Sequence, residues 1–347
     1  MHLRQAGLSL VELMIAIALG LVLMTGVVQV FLSSKTVFST QQAMSRIQET
    51  GRLAVDFLAR DIRMAAYYGC YRPQAGVPSA ALQNGAMVIE DLHGNFAEGV
   101  RGYTSVESLP GGVSDLGAGL KPLVGKTANV LVLRTANEVG LPVSNPNDSS
   151  GIYAYSPEPV NGQGCIAGMC LGSAVVVSDC FKARVFRLAE IPLAVGANVF
   201  HLRHNDNWGG GITPTQNFNT GEVSAMNSVV YFLAEGPTGT PSLWQKTNDD
   251  TALELLEGVE HMRITYATSA NPEVYRLAEV LAAAEWALVT SIRVELVVRS
   301  IENNVVDATQ PYTFAGAIVN PPNINGASDR YLRQVFSTTV GIRSRIQ

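Results

Sequence analysis

The chain has 347 residues, of which 47% are hydrophobic and 15% charged, and it carries a formal net charge of −5. That much apolar material supports a packed core and excludes an intrinsically disordered chain. The acidic balance excludes a general electrostatic footprint for nucleic acid.

The first element is an apolar run. Residues 8–32 form 25 positions that are almost wholly apolar or glycine, preceded by the leader MHLRQAG. A spanning helix needs about 20 such residues. Arg4 before the run, and the scarcity of charge until Lys35 after it, orient the N-terminus toward the cytoplasm. A Sec signal peptide calls for a neutral apolar middle and a small-residue cleavage site. Here an acid, Glu12, stands at the head of the run, and VVQVFLSSKTVF closes it. A carboxylate at the centre of a lipid-embedded helix costs about 2.5–3.5 kcal/mol on insertion scales, so it calls for a partner.

Gly7 followed by LSLVEL, with Glu12 fifth after the glycine, resembles the class III signal of type IV pilins and pseudopilins. The resemblance implies cleavage after Gly7 by a prepilin peptidase and methylation of the new N-terminus at Leu8. Leu8 departs from the phenylalanine usual in the family. The resemblance also implies that the Glu12 carboxylate of one subunit pairs with the terminal amine of its neighbour during assembly. Such a pair offsets the desolvation of both charges.

Beyond the anchor the helical period continues. Met44, Ile47, Gly51, Ala54, Leu58 and Ile62 recur at three- and four-residue steps. The pairs Glu49–Arg52, Arg52–Asp56 and Asp56–Arg60 stand at helical spacing on the remaining surface. No proline interrupts residues 8–71. One nearly continuous helix is expected over 8–67, with 8–32 membrane-spanning and 33–67 amphipathic, roughly 90 Å long. Gly20, Gly26 and Gly51 are the expected points of bending. The stretch GRLAVDFLARDIRMAAYYGC, residues 51–70, is similar to the same region of PilW-type minor pilins.

Residues 68–347 are expected to form one β-rich globular domain on the periplasmic side. Its four cysteines, Cys70, Cys165, Cys170 and Cys180, allow three disulfide connectivities. The expected pairing is Cys165–Cys170 as a local loop, with Cys70 joined to Cys180. A zinc site is the alternative, but no C-x2-C pair is present.

Residues 73–123 and 137–163 read as loop- and turn-rich. Strands are expected at 128–135 (apolar on both faces and so buried), 173–178, 183–191, 198–204, within 253–268, and near the C-terminus over 330–345. SVVYFLAE and SLWQKT, separated by GPTGTP, read as a hairpin. In residues 290–300, Ile292, Val294, Leu296 and Val298 alternate with Arg293, Glu295 and Arg299, the pattern of a half-buried strand. Residues 272–286, beginning at Pro272, read as a short helix.

Chemistry-bearing patterns are sparse. His201 and His204 fall on opposite faces of a strand, and His93 and His261 stand alone, so these histidines read as core or surface residues. No G-x-S-x-G, H-E-x-x-H or Walker loop occurs. The polar loop Asn205–Asn207 with the glycines after it, and Asn248-Asp249-Asp250, offer oxygen ligands for Ca²⁺ without EF-hand spacing. Asn147-Asp148-Ser149 fits a glycosylation sequon. Trp208, Trp244 and Trp286 read as packing or contact residues.

The blocks SDCFKARVF, LLEGVEHMRITY, ALVTSIRVELVVRS and VFSTTVGIRSR are likewise similar to PilW-type proteins. The resemblance implies an α+β, pilin-like fold, a long N-terminal helix packed on antiparallel sheet. It implies a non-enzymatic minor pilin without cofactor that helps start type IV pilus assembly and can sit at the pilus tip. The partners implied are other minor pilins, the major pilin, the prepilin peptidase, the inner membrane and a tip adhesin of the PilY type. PilW-type proteins are also similar to the J-type minor pseudopilin of type II secretion, which is the alternative. A membrane-anchored enzyme would need a clustered catalytic set, and a DNA-uptake pilin would need a basic surface.

Overall fold

The computed structural model describes residues 9–72, 82–84, 92–96, 98–123, 128–145, 147–205, 217–321 and 329–345. A single helix, Leu10–Met64, leads the chain and runs for 55 residues, about 80 Å. Ser9 caps its N-terminus, and basic Arg63 lies in its last turn, where it complements the helix dipole. The helix passes through Gly20, Gly26 and Gly51 without a break.

The second half of the helix packs on the globular domain through one stripe: Ala43, Ile47, Gly51, Ala54, Leu58, Ala59 and Ile62 are buried. Met44, expected in that stripe, is 39% exposed, and Ala43 takes the inward position instead. Gly51 is a packing residue and not a bend. A Cβ there would run into the ring of Phe336, so glycine is what lets the helix approach the strand beneath it. Hydrogen bonds to the domain tie the helix end down. Arg343 N donates to Arg63 O at 3.1 Å, Ser344 Oγ to Ala65 O at 2.9 Å, and Tyr231 Oη to Asp61 Oδ2 at 2.6 Å.

Beneath the helix lies a four-stranded antiparallel sheet in the order Asn271–Arg276, Val259–Thr268, Val289–Arg299, Arg333–Gly341. The alternation in Val289–Arg299 is realised: Ile292, Val294, Leu296 and Val298 are buried in the core under the helix, while Arg293 is exposed.

A larger sheet network is built on the 14-residue strand Glu222–Glu235. Its second half pairs antiparallel with Val130–Ala136 and with Pro241–Thr247, the expected hairpin. Its first half pairs with Ala174–Ser178 and Leu141–Asn145. Beyond these stand Ala183–Arg187 on one side, and Gly151–Tyr155, Val199–Arg203 and Leu193–Gly196 on the other. The short strand Leu82–Asn84 adds a parallel ladder to Ala183–Arg187. Val130–Ala136 is buried on both faces because it separates two cores. Leu131 and Leu133 face the helix-side core, while Val130 and Val132 face a second cluster with Leu92, Leu116 and Phe232. A third cluster includes Ile152, Val175, Phe186, Leu202 and Phe218.

The segment from Pro272 to Trp286 is not a helix. Asn271–Arg276 is an edge strand, followed by two short 3-10 turns, Ala278–Val280 and Ala283–Leu288. An edge strand tolerates proline because one row of its N–H groups has no partner. Tertiary contacts override the helix-forming composition. Arg276 pairs with Glu285 at 2.7 Å, and Trp286 is buried edge-on against Tyr266. The turn-rich stretch 137–163 likewise contains two strands, Leu141–Asn145 and Gly151–Tyr155.

Candidate assembly surface

The helix begins at an ordered cap. Ser9 is extended (φ −71°, ψ 145°), and its hydroxyl accepts from the Glu12 amide at 3.3 Å. Glu12 therefore sits in the first turn, where the helix dipole favours an anion. Gly7 and Leu8, the expected cleavage pair, lie outside the described residues. Every residue from Ser9 to Ser39 is exposed. Leu10 is 74% exposed, Leu23 71% and Phe38 68%. An 18-residue window of this helix has a mean hydropathy of 2.5, with none of it buried.

Side chains of this size and exposure are costly in water, at about 1.5–3 kcal/mol for each large one left unburied. The segment is thus built to be covered. Its few polar groups suit an apolar medium: Thr25 Oγ1 donates to Leu21 O at 2.8 Å and Thr36 Oγ1 to Leu32 O at 3.1 Å, so both hydroxyls are satisfied within the helix. Gly26 has no neighbour beyond its own helix. With Val22, Val27 and Val30 it forms the floor of a shallow apolar groove of about 590 Å³, a shape that accepts another helix.

At the other end of the helix the structure pairs Cys70 with Cys180, 110 residues apart, and Cys165 with Cys170. No free thiol remains to ligate zinc. The first disulfide joins the exit of the helix to the turn between Ala174–Ser178 and Ala183–Arg187. A cavity of about 700 Å³ opens beside it, lined by Arg63, Tyr67, Cys70, Arg72, Glu222 and Arg343 among others.

The remaining polar groups read as structural. Asp148 Oδ1 accepts from Ser150 N (2.8 Å), Ser150 Oγ (2.7 Å) and Gly151 N (3.0 Å), and Tyr153 Oη donates to Oδ2 (2.8 Å). Burial opposes ionisation of this carboxyl, but the bonds from Ser150 and Tyr153 outweigh it and hold it at about 2. His201 stacks on Tyr153, and burial pushes its imidazole below the usual range. His201 Nε2 faces both Ser150 Oγ (3.5 Å) and Asp148 Oδ1 (3.8 Å). One nitrogen cannot both take a proton from the serine and be oriented by the aspartate through its opposite side, so this is not a relay.

Asn147 of the sequon is buried, its Oδ1 accepting from Phe218 N at 2.7 Å, which removes it from modification. Of the oxygen-rich stretches, residues 206–216, with Trp208, lie outside the described residues. Asn248 is a turn residue (φ 49°) whose side chain bonds Ser228 N and Asn227. Among the described residues no cluster of three or more His, Cys, Asp or Glu forms a metal site. Trp286 is core, and Trp244 is half-buried with its Nε1 donating to Ala234 O.

Sequence reasoning missed the contact of Gly51 with Phe336, whose only signal was a glycine within the buried stripe.

Residues 2–28 match the prokaryotic N-terminal methylation motif, and residues 230–344 match the family model for type IV pilus-assembly protein W, PilW. The second match covers the four-stranded sheet on which the helix packs, together with the Glu222–Glu235 hairpin from Val230 onward. No curated protein matches the chain. Among solved structures it is similar to a type IV-like pilin from Thermus thermophilus, at 16% identity over 51% of this chain and 85% of that one, with a TM-score of 0.24. The chain thus carries a match to a methylation motif at its N-terminal end and a match to the PilW family model over its C-terminal third.

Proposed function

We propose that the chain is a minor pilin that takes part in the initiation of type IV pilus assembly. It enters the inner membrane through residues 8–32 with its β-rich domain in the periplasm. It is cleaved between Gly7 and Leu8 by the prepilin peptidase and then drawn into the filament base by lateral helix packing. The observation that carries this reading is an N-terminal methylation motif on a helix whose apolar first half has no partner among the described residues and whose second half packs on strands within the PilW match. Glu12 supplies the charge that pairs with a neighbour's terminal amine, a pair whose loss leaves one charge uncompensated in lipid. Other minor pilins and the major pilin are the partners. The role is structural, without catalysis or cofactor.

A domain of this size supports a position at the pilus tip, beneath an adhesin of the PilY type, over a repeated position in the shaft. Bulk that clashes in a helical array is accommodated at its end.

The test is Glu12→Gln in cells. The expected outcome is a protein still cleaved and membrane-inserted, with piliation and twitching lost. Normal piliation with loss of exoprotein release would move the chain to the J-type pseudopilin role in type II secretion. Normal piliation and normal secretion would contradict the assembly reading.

A further inference from the structure

We propose that the outer edge of strand Arg333–Gly341 is a docking site for an extended, uncharged segment of a different polypeptide of the assembly, which adds to the four-stranded sheet as a fifth strand. The proposal rests on the pilin reading above.

Sheet edges are templates for pairing, and proteins blunt them with prolines, charges, bulges or short length. The other described edges are blunted in these ways. Leu193–Gly196 has four residues, follows Pro192 and has a bulge between Ala194 and Gly196. Asn271–Arg276 carries Pro272 and Glu273, and its register is broken. Leu253–Glu257 carries Glu254 and Glu257 and pairs across a bulge. Arg333–Gly341 has none of these devices. It runs nine residues in unbroken register with Val289–Arg299, and from Gln334 to Gly341 it contains no proline and no charge. The charge of Arg333 is taken up within the chain by Glu260 and Asp329, at 2.6 and 2.8 Å.

The phase of the ladder shows which groups are offered. Ser300 N donates to Leu332 O at 2.8 Å at one end, and Ile342 N donates to Thr290 O at 2.8 Å at the other. Antiparallel pairs alternate, so Gln334, Phe336, Thr338 and Val340 turn their backbone groups inward. Val335, Ser337 and Thr339 turn theirs outward. Among the described residues, none of these three makes a backbone hydrogen bond outside the ladder. The side chains beside the edge are Phe336, Thr338 and Val340 on the helix side, and Val335, Ser337 and Thr339 on the other. A matching strand is therefore apolar or hydroxylic on both faces.

A second copy of this chain is the wrong occupant in an antiparallel ladder. The helix runs alongside the strand in the same direction, with Gly51 at Phe336 and Arg63 at Arg343. The two-fold axis that sets two such edges antiparallel stands perpendicular to the sheet and reverses the helix with the strand. The two apolar N-terminal halves would then point in opposite directions and could not enter one membrane.

The test is residue-resolved hydrogen exchange on the full-length protein in detergent, alone and co-purified with the pilins of its own assembly. The expected result is that the Val335, Ser337 and Thr339 amides exchange freely in the protein alone and slow by about tenfold or more in the assembly. The Phe336, Thr338 and Val340 amides are protected in both. Ser337→Pro removes an outward N–H that the fold does not use. It should abolish co-purification while leaving the melting temperature unchanged, and Ser337→Lys should do the same if the proline disturbs the fold. Unchanged exchange of these amides in an assembly that forms normally would overturn the proposal. So would a dimer of the protein alone that Ser337→Lys dissolves, since the occupant would then be a second copy. Failure of the wild-type chain to co-purify with any pilin would instead count against the pilin reading.

Discussion

The two halves of helix Leu10–Met64 share a backbone conformation and little else. The first half is apolar all round and packs against none of the described residues. The second half is amphipathic and buries a stripe from Ala43 to Ile62 against the globular domain. A helix apolar on every side is meant for surroundings as apolar as itself, whereas a striped one is meant for a sheet. The difference teaches that continuity of secondary structure says nothing about continuity of role: one half holds the domain together, and the other is left for lipid or for other helices.

Substitutions should separate the halves. Leu58 is fully buried and Leu19 is 61% exposed. Leu58→Ala should destabilise the globular domain by about 3 kcal/mol, while Leu19→Ala should leave its denaturant midpoint unchanged. Equal effects would erase the distinction. Gly51→Leu should cost about 2 kcal/mol by forcing the helix away from Phe336, and thermal melting of the variant reads this directly. The corresponding change at Gly26, which meets nothing, should not alter the melting temperature at all.

The smallest effect is with pH, and it belongs wholly to the globular domain. Burial holds His201 below its unfolded value, so the folded state binds its proton less readily than the unfolded state. Its contribution is present above about pH 6.5 and is lost as pH falls through the lowered value. Asp148 acts in the same direction further down, from about pH 4 toward its value of about 2. Melting temperatures at pH 7.5 and 5.5 should therefore differ less in His201→Gln than in the wild type, with membrane partitioning unaffected.

The helix was legible because its two signals are strong and local: an uninterrupted apolar run, then a three- and four-residue stripe. The half-buried strand Val289–Arg299 and the hairpin of residues 228–235 and 242–247 were legible for the same reason, since their periodicity is carried by consecutive residues. Asn271–Arg276 was not, because the run of alanines and glutamates after it favours a helix locally. What decides the outcome is non-local: pairing with Val259–Thr268, and the burial of Trp286. Gly51 misled for a related reason. A glycine within a helix can mark a bend or a close approach, and only the position of Phe336 separates the two. Of the proposed assembly surface, the bare apolar segment could be read directly from its run of apolar residues. The open edge of Arg333–Gly341 could not, because whether a strand has a second neighbour is a property of the sheet and not of the strand.

The central claim is that the first half of the helix is a processed pilin segment. The most direct test is the intact mass and N-terminal sequence of the membrane-extracted protein, from cells with and without the prepilin peptidase. The account predicts an N-terminus at Leu8, methylated, that depends on the peptidase. A leader retained in both strains, or a cut beyond Val28, would contradict it.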